Sequence, residues 1–196
     1  MEQDDDYTGF FLNIDELNVK EASKAEMEAR KNAHYAARFL KKYMPGFEDA
    51  FIVTTAPELG VRYTRWIEGE YTLTREERDS KAKFDDVVAV GAVWEAREGS
   101  LFRGEFEIPY RCLVPKKVER LLVASGKSVS TEPRGLLRGQ VKCMELSEAA
   151  GTAAALAAKT GLTPRKLNVK ELQATLLKQG VYLGDEERLK ELGLIT

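Results

Sequence analysis

The chain has 196 residues, which is enough for one domain or for one domain with a second, small domain. Apolar residues make up 43% and charged residues 32%, which is typical of a globular protein rather than a disordered one. Its 30 basic and 32 acidic residues leave a net charge of −2, so no overall basic excess points to nucleic acid or to an anionic membrane surface. Two cysteines and one histidine are too few for a disulfide framework or a multi-histidine metal site.

The N-terminal segment is acidic and weakly patterned, and we expect residues 1–22 to form a loose arm. It lacks the basic start and the apolar stretch of a secretory signal. The longest uncharged run near the C-terminus, Ala149 to Ala158, is far shorter than the roughly 20 residues of a membrane span. The expectation is therefore a cytoplasmic protein without a membrane span.

A first amphipathic helix is predicted from Ser23 to Met44. Ser23 and Glu26 have the spacing of a capping box, in which each side chain accepts a hydrogen bond from an otherwise unpaired amide. Alanines and larger apolar residues then recur at helical spacing, and Pro45-Gly46 ends the pattern. The single histidine, His34, lies beside this stripe, where a packing or surface role is more common than ligand binding.

The segment that follows is rich in β-branched and aromatic residues, which favour strands. Within it, Thr74 and Glu77 form a second capping-box pattern, which predicts a short charged helix between two strands. The stretch Glu98–Gly104 predicts a loop. The predicted strands are Phe51–Thr55, Val61–Ile67, Tyr71–Leu73, Phe84–Trp94 and Glu105–Val114.

Beyond Pro115 the pattern changes to one apolar strand followed by helices. Leu121–Ala124 is short and wholly apolar, which is typical of a buried and often parallel strand. An alanine-rich helix is predicted for Cys143–Lys159, and two shorter helices follow at 168–180 and 185–192. This order of elements predicts an α/β or α+β fold with a seam near residue 115.

The tripeptide Gly126-Lys127-Ser128 follows the apolar strand and is similar to the end of a phosphate-binding loop. The glycine that such a loop needs five residues earlier is Leu121 here, and the chain contains no G-x-G-x-x-G. A nucleoside-triphosphate site is therefore not expected.

The two cysteines, Cys112 and Cys143, lie far apart in sequence and cannot by themselves complete a four-ligand zinc or iron–sulfur site. Cys143, near a predicted helix start, is open to two interpretations. The helix N-terminus favours a reactive thiolate, whereas a small buried side chain is the commoner role of a free cysteine.

Four arginines are candidates for binding an anion, because a guanidinium group pairs with a carboxylate, a phosphate or a flavin carbonyl. Arg62 and Arg65 lie on a predicted extended segment, Arg111 follows Tyr110 on another, and Arg138 precedes the alanine-rich helix. Surface salt bridges are the alternative for each of them. Arg138 is the strongest candidate, since an anion is favoured at a helix N-terminus.

Several stretches of the chain resemble the C-terminal part of the FAD-dependent oxidoreductases whose flavin-binding domain is related to glutathione reductase. The resemblance extends from about residue 20 to residue 184. Each stretch is short, and their common order and spacing carry the similarity. They are Ala25–Arg30, Tyr43–Glu48, Gly60–Arg65, Gly69–Thr74, Ile108–Pro115, Leu121–Ala124 and Cys143–Ala157.

This resemblance implies an incomplete α/β fold: the acidic arm at 1–22, an α+β substrate-domain portion at 23–116, and the C-terminal part of an FAD/NAD(P)-binding-type domain with a helical tail at 117–196. It implies FAD as cofactor and hydride transfer between a small organic substrate and the flavin. The implied flavin-side residues are Gly126, Lys127, Ser128, Arg138, Cys143 and Met144. The implied substrate-side residues are Arg62, Arg65, Tyr110 and Arg111.

The sequence departs from the family pattern in three ways. The N-terminal half, which holds the glycine-rich loop for the FAD pyrophosphate, is missing from it. Gly126–Ser128 replaces a common Gly-Arg-Cys, and Ser147 replaces a frequent glycine. Many relatives have a histidine after the strand that matches Phe84–Trp94, and it is missing in Trp94–Arg97. Two cysteines do not support the iron–sulfur cluster of some relatives.

A second polypeptide region is therefore expected to complete the FAD site. The chain would be one subunit of a split enzyme, one piece of a longer protein or a truncated product, and self-association stays open. All of these predict an exposed apolar surface where the other half binds. The alternative to an enzyme is a non-enzymatic interaction or structural module that kept the scaffold and lost the cofactor.

Overall fold

The computed structural model describes residues 14–61, 64–97 and 100–196. Contacts within the chain divide it into two units, Met1–Thr64 and Arg65–Thr196, which are described separately. The helices and strands, in chain order, are α1 (Val19–Tyr43), β1 (Leu73–Thr74), α2 (Arg75–Asp79), β2 (Val87–Arg97), β3 (Ser100–Pro109), β4 (Thr131–Glu132), α3 (Gln140–Thr160), α4 (Val169–Lys178) and α5 (Glu186–Glu191).

The first unit is built around α1, which begins four residues before the predicted start. Asn18 is the N-cap, and its side chain accepts a hydrogen bond from the amide of Lys20. The predicted Ser23–Glu26 capping box is wrong, because Ser23 already lies in the helix and its hydroxyl donates to the carbonyl of Val19. The predicted end before Pro45 is confirmed.

The strand predicted at Phe51–Thr55 is wrong, because these residues pair with no strand among the described ones. β-branched residues favour a strand only where a partner strand supplies hydrogen bonds. Residues 64–67 of the predicted strand Val61–Ile67 are likewise outside any strand. Arg62, on the same predicted strand, lies outside the described residues.

The second unit contains a long antiparallel hairpin of β2 and β3, whose register pairs Ala89 with Ile108 and Gly91 with Phe106. Gly91 is needed there, since a Cβ at this position would lie 2.7 Å from the ring of Phe106. The predicted strand Phe84–Trp94 is confirmed in its main part. The loop predicted for Glu98–Gly104 is wrong from Ser100 onward, where β3 already begins.

The predicted strand Glu105–Val114 ends early, because Tyr110–Leu113 turns into a 3-10 helix. The apolar run Leu121–Ala124 is not a strand, which corrects the expectation of a buried strand. Its one backbone–backbone hydrogen bond to a described residue joins the Val123 amide to the Leu113 carbonyl, and Leu121 is 43% exposed. The parallel pairing in this unit joins β1 to β4 instead, with Leu73 opposite Thr131.

The core of the second unit lies between the hairpin and the helices. Helix α3 contacts both β2 and α4. The alanine-rich pattern predicted this helix, which begins three residues earlier than expected, at Gln140. Asn168 caps α4, and Asp185 caps α5. The buried residues of α3 are Leu146, Ala149, Ala150, Ala153 and Ala157.

Helices with one small parallel and one antiparallel sheet make up the described chain, which confirms the mixed α/β class and is consistent with part of an FAD-binding-type domain. The boundary predicted after residue 116 stays a prediction. Residues on both sides of it belong to the same unit, since the parallel pair of Leu73 and Thr131 spans it.

Candidate functional site

Two loops of the second unit cross at Gly126, which is buried. A Cβ at Gly126 would lie 1.8 Å from the carbonyl oxygen of Leu137, so only glycine fits this crossing. The loop at 125–128 is thereby held against the segment that leads into α3. The predicted flavin-side residues on these two segments are therefore close together, although Gly126 itself faces protein backbone.

The N-terminus of α3 lies at the end of the second of these loops. Its N-cap is Gly139, which has no capping side chain, and its first turn holds no acidic residue. Cys143, in this region, is half-buried, and its thiol lies 3.6 Å from the carbonyl oxygen of Arg138. Uncapped amides and the helix dipole together make this end of α3 favourable for an anion or an electron-rich carbonyl.

The remaining flavin-side candidates lie on the two loops and on the first turns of α3. Lys127 is exposed, and Met144 is 71% exposed on the first turns of α3. Ser128 is fixed by its backbone, since its amide donates to the Ser125 carbonyl and its own carbonyl accepts from Ile67. Arg138 is half-buried, and its amide donates to the carbonyl of Gly135.

Ser147, where the resemblance expects a glycine, joins the apolar run to α3. Its hydroxyl oxygen lies 2.7 Å from the carbonyl oxygen of Ala124 and 2.7 Å from that of Cys143. The serine thus fixes one end of the run Leu121–Ala124 on the helix.

The predicted substrate-side residues lie in different environments. Arg65 is exposed. Tyr110 is only 3% exposed, its hydroxyl donates to the Pro164 carbonyl at 3.0 Å, and burial raises its pKa. Arg111 holds Asp86 through two side-chain hydrogen bonds of 2.9 and 3.1 Å. Among the described members of the set, only Arg65 is without a structural contact of this kind.

Arg111 also belongs to a polar network that the sequence did not reveal. Its guanidinium carbon lies 4.6 Å from the centre of the Tyr71 ring, and the hydroxyl of Tyr71 donates to Glu77. The hydrogen bond to Glu77 is the main reason why the pKa of Tyr71 is raised to about 12. Glu77 itself completes the capping box with Thr74, which confirms that prediction.

A groove of about 520 Å³ runs along one face of α3, outside the predicted site. Small residues of α3, among them Ala150, Gly151 and Ala154, form one wall. Leu122 and Arg120, on the segment before Gly126, also line the groove. The small residues at helical spacing in α3 indicated from the sequence that another segment could approach this helix closely. Which residues outside α3 line the groove depends on tertiary structure and could not be predicted.

Within the described ranges, no group of three or more His, Cys, Asp and Glu side chains could hold a metal ion. None of the helices described is both long and apolar enough to cross a membrane.

The sequence profile of one protein family, described as FAD dependent oxidoreductase, matches residues 3–176. Nothing among curated proteins or among solved structures matches the chain. The profile covers the hairpin of β2 and β3, the loops at 125–128 and 135–139 and all of α3, and it ends within α4.

Proposed function

We propose that this chain, which belongs to the FAD dependent oxidoreductase family, supplies the flavin-ring side of an FAD site. The family implies FAD as cofactor and a redox function. The proposed reaction is hydride transfer between a small organic substrate and the flavin. The observation that carries this proposal is the uncapped N-terminus of α3, held beside the loop at 125–128 by the crossing at Gly126.

The donor chemistry at this helix end fits one end of the cofactor. FAD supplies the hydride chemistry when bound, and negative charge then develops on the pyrimidine edge of its ring. Backbone amides at an uncapped helix start and nearby cations stabilise such charge, and they need no reorganisation to do so. In this proposal, Lys127 and Arg138 orient the ring edge, and Met144 covers part of the ring with its exposed apolar side chain.

The same residues do not fit the other end of FAD. The sequence contains no G-x-G-x-x-G to accept a pyrophosphate. At Gly126, on the neighbouring loop, the carbonyl oxygen of Leu137 occupies the space that a phosphate would need. We therefore assign the ring side alone to this chain and the pyrophosphate side to a second polypeptide region.

Of the predicted substrate-side residues that the structure describes, we propose that Arg65 alone contacts the substrate. Arg65 remains able to bind an anionic substrate group, whereas Arg111 is engaged with Asp86 and Tyr110 is buried. In this proposal, Tyr110 and Arg111 stabilise the fold through Pro164 and Asp86 and do not contact the substrate. Arg62 stays a sequence-based prediction.

A comparison of flavins tests the ring-side assignment. Purified chain is titrated with FAD and with riboflavin, which lacks the pyrophosphate and adenosine, and flavin fluorescence is followed. Because this chain would contact only the ring, we expect the two dissociation constants to agree within about threefold, a difference of less than 1 kcal/mol. A complete FAD site would favour FAD by a much larger factor, since the pyrophosphate adds charge-assisted hydrogen bonds.

Matched variants locate the binding. Lys127→Ala and Arg138→Ala should each weaken both flavins about equally, by roughly tenfold. Lys166→Ala, which removes an exposed cation elsewhere in the second unit, should change the affinity for neither flavin. Absence of riboflavin binding at about 1 mM, or a preference for FAD above about tenfold, would refute the assignment.

The second candidate function is a non-enzymatic module that kept this scaffold. The observation favouring it is that Gly126 packs against Leu137 and leaves no space there for a cofactor. Failure of both flavins to bind in the titration would favour this candidate.

A further inference from the structure

Trp66 is an exposed aromatic residue on a segment that is fixed against the loop at 125–128. The next residue, Ile67, donates from its amide to the carbonyl of Ser128 at 2.9 Å. The side chain of Trp66 is nevertheless 40% exposed. Tryptophan side chains are highly buried on average, because their rings carry a large apolar area. The exposed ring therefore offers an apolar surface to a ligand beside one loop of the proposed site.

Arg134 stacks on this ring from the segment that leads into α3. Its guanidinium carbon lies 3.4 Å from the centre of the Trp66 ring, which is stacking distance. The same segment continues through Arg138 to the N-cap Gly139. The stacked pair of Trp66 and Arg134 thus connects the two parts of the chain that form the proposed flavin-ring site.

The guanidinium of Arg134 is held in place but not neutralised. Stacking engages the face of a guanidinium group, whereas its N–H donors point outward in the plane of the group. Within the described ranges, the exposed side chain of Arg134 makes no ion pair and no hydrogen bond. Glu132, the nearest acidic residue along this segment, is also exposed and is not paired with it. The donors of Arg134 are therefore available to an anion.

The charges near the stacked pair favour an anionic ligand as well. Arg65 precedes Trp66, Lys127 precedes Ser128, and both cations are exposed. The glutamates that follow Trp66 on its segment are each paired with a cation of another segment: Glu68–Lys116 and Glu70–Arg165. A surface with this balance of charge attracts a negatively charged group.

The stacked pair recognises two features of a ligand together. A planar guanidinium binds a carboxylate through two parallel hydrogen bonds in its own plane. The exposed part of an indole packs best against the face or edge of another aromatic ring. A simple carboxylate would leave the indole exposed, and an uncharged aromatic molecule would leave the donors of Arg134 without an acceptor. A carboxylate attached to an aromatic ring satisfies both residues.

We propose that Trp66 and Arg134 bind the substrate of the proposed oxidoreductase and that this substrate is a small aromatic carboxylic acid. Arg134 binds its carboxylate, and the indole of Trp66 packs against its ring. This inference rests on the proposed function and deepens it by naming the substrate class. Its test contains no flavin, so the two can fail separately: riboflavin binding without binding of an aromatic acid would contradict the substrate class alone.

Ligand-observed NMR titrations of the full chain compare benzoate with acetate and inorganic phosphate at constant ionic strength. Benzoate has both features, acetate has the carboxylate alone, and phosphate has more charge but no ring. The affinity for phosphate is measured by its displacement of benzoate. We expect benzoate to bind at least about fivefold more tightly than either of the others, because contact with the indole adds to the charge-assisted hydrogen bonds.

Two variants separate the contribution of the charge from that of the ring. Arg134→Gln removes the charge, so it should weaken benzoate and acetate about equally, each by roughly tenfold. Trp66→Leu keeps an apolar side chain without an aromatic face, so it should reduce the preference for benzoate over acetate to about twofold or less. A purely structural role of Trp66 would lower both affinities and leave this ratio unchanged.

Arg38→Gln is the matched control. Arg38 is also exposed and stacks on an exposed aromatic ring, with its guanidinium carbon 4.8 Å from the centre of the Tyr35 ring, but it belongs to α1 in the first unit. We expect this substitution to change the affinity for neither benzoate nor acetate. Circular dichroism checks that all three variants keep their helix content.

Four results would overturn the proposal. One is the absence of saturable benzoate binding up to about 50 mM. Another is a preference for benzoate over acetate of less than about fivefold in the unaltered chain. A third is an equal loss of benzoate binding in Arg134→Gln and Arg38→Gln. The fourth is binding of phosphate as tight as that of benzoate, which would assign Arg134 to a phosphate-bearing ligand instead.

Discussion

Removing the guanidinium of Arg188 should destabilise the second unit strongly. This side chain is 9% exposed and joins α5 to the hairpin through Glu107, which is 4% exposed. Two hydrogen bonds of 2.8 and 3.1 Å connect them, and Arg188 also donates to the carbonyl of Phe84 at 3.1 Å. Substitution Arg188→Met keeps much of the apolar volume of the side chain and leaves the carboxylate of Glu107 buried without its main partner.

The size of the effect follows from what remains around Glu107. Breaking a buried ion pair by removing one partner costs about 3–5 kcal/mol. Lys83, whose ammonium lies 3.1 Å from Glu107, and the amide of Phe84 remain to compensate part of the charge. We therefore expect Arg188→Met to lower the free energy of unfolding by about 3 kcal/mol, at the lower end of that range. Arg188→Met with Glu107→Gln should recover about half of the loss, because no buried charge is then left.

Urea denaturation followed by tryptophan fluorescence measures this effect in the right part of the chain, since both tryptophans, Trp66 and Trp94, belong to the second unit. Lys190→Met is the matched control: it breaks an exposed pair with Glu186 on the same helix, for which less than about 1 kcal/mol is expected. Equal losses for Arg188→Met and Lys190→Met, or no recovery in the double variant, would refute the assignment of this stability to a buried ion pair.

Two further predictions concern the loop crossing and the polar network. Gly126→Ala should lower the free energy of unfolding by at least about 2 kcal/mol, because the added Cβ would overlap the Leu137 carbonyl. Gly151→Ala, in open space on the same unit, should stabilise α3 by up to about 1 kcal/mol. The midpoints of urea denaturation compare the two variants. The pKa of Glu77 is lowered below 4.5, since hydrogen bonds from Tyr71 and Thr74 outweigh its burial. Its contribution to stability is thus present above pH 4.5 and is lost as the pH falls through the lowered value, so Glu77→Gln should flatten the acid side of a stability–pH profile.

Helix boundaries were predictable where a local pattern decides them. Thr74 with Glu77, and Asn168 before α4, fold as capping sites because their partners are two or three residues away. Ser23 and Glu26 had the same pattern and failed, since Asn18 starts the helix earlier and leaves Ser23 inside it. A capping pattern therefore identifies a helix more reliably than it identifies the first residue.

The sequence indicated which segments belong to the candidate site, but it could not indicate the contacts between their side chains. The resemblance groups 126–128 with the start of α3, and in the structure Gly126 approaches Leu137, two residues before the N-cap Gly139. It could not indicate that Gly126 packs on Leu137, or that Arg111 is engaged with a carboxylate 25 residues away. Contacts such as the pair of Arg188 and Glu107, 81 residues apart, depend on how elements pack and leave no periodic signal.

The apolar run Leu121–Ala124 is the place where local pattern and tertiary structure disagree most. Four apolar residues in succession are characteristic of a strand paired on both sides. This run nevertheless makes only one backbone–backbone hydrogen bond with the described part of the chain, and Leu121 is 43% exposed. The disagreement has a physical cause, since the amide of Val123 donates to the carbonyl of Leu113 and no strand among the described residues pairs with the run. Ser147 strengthens this argument, since its bond to Ala124 holds the run on α3 in one position beside the groove. Contacts with neighbouring elements therefore override the local preference of this run for a strand.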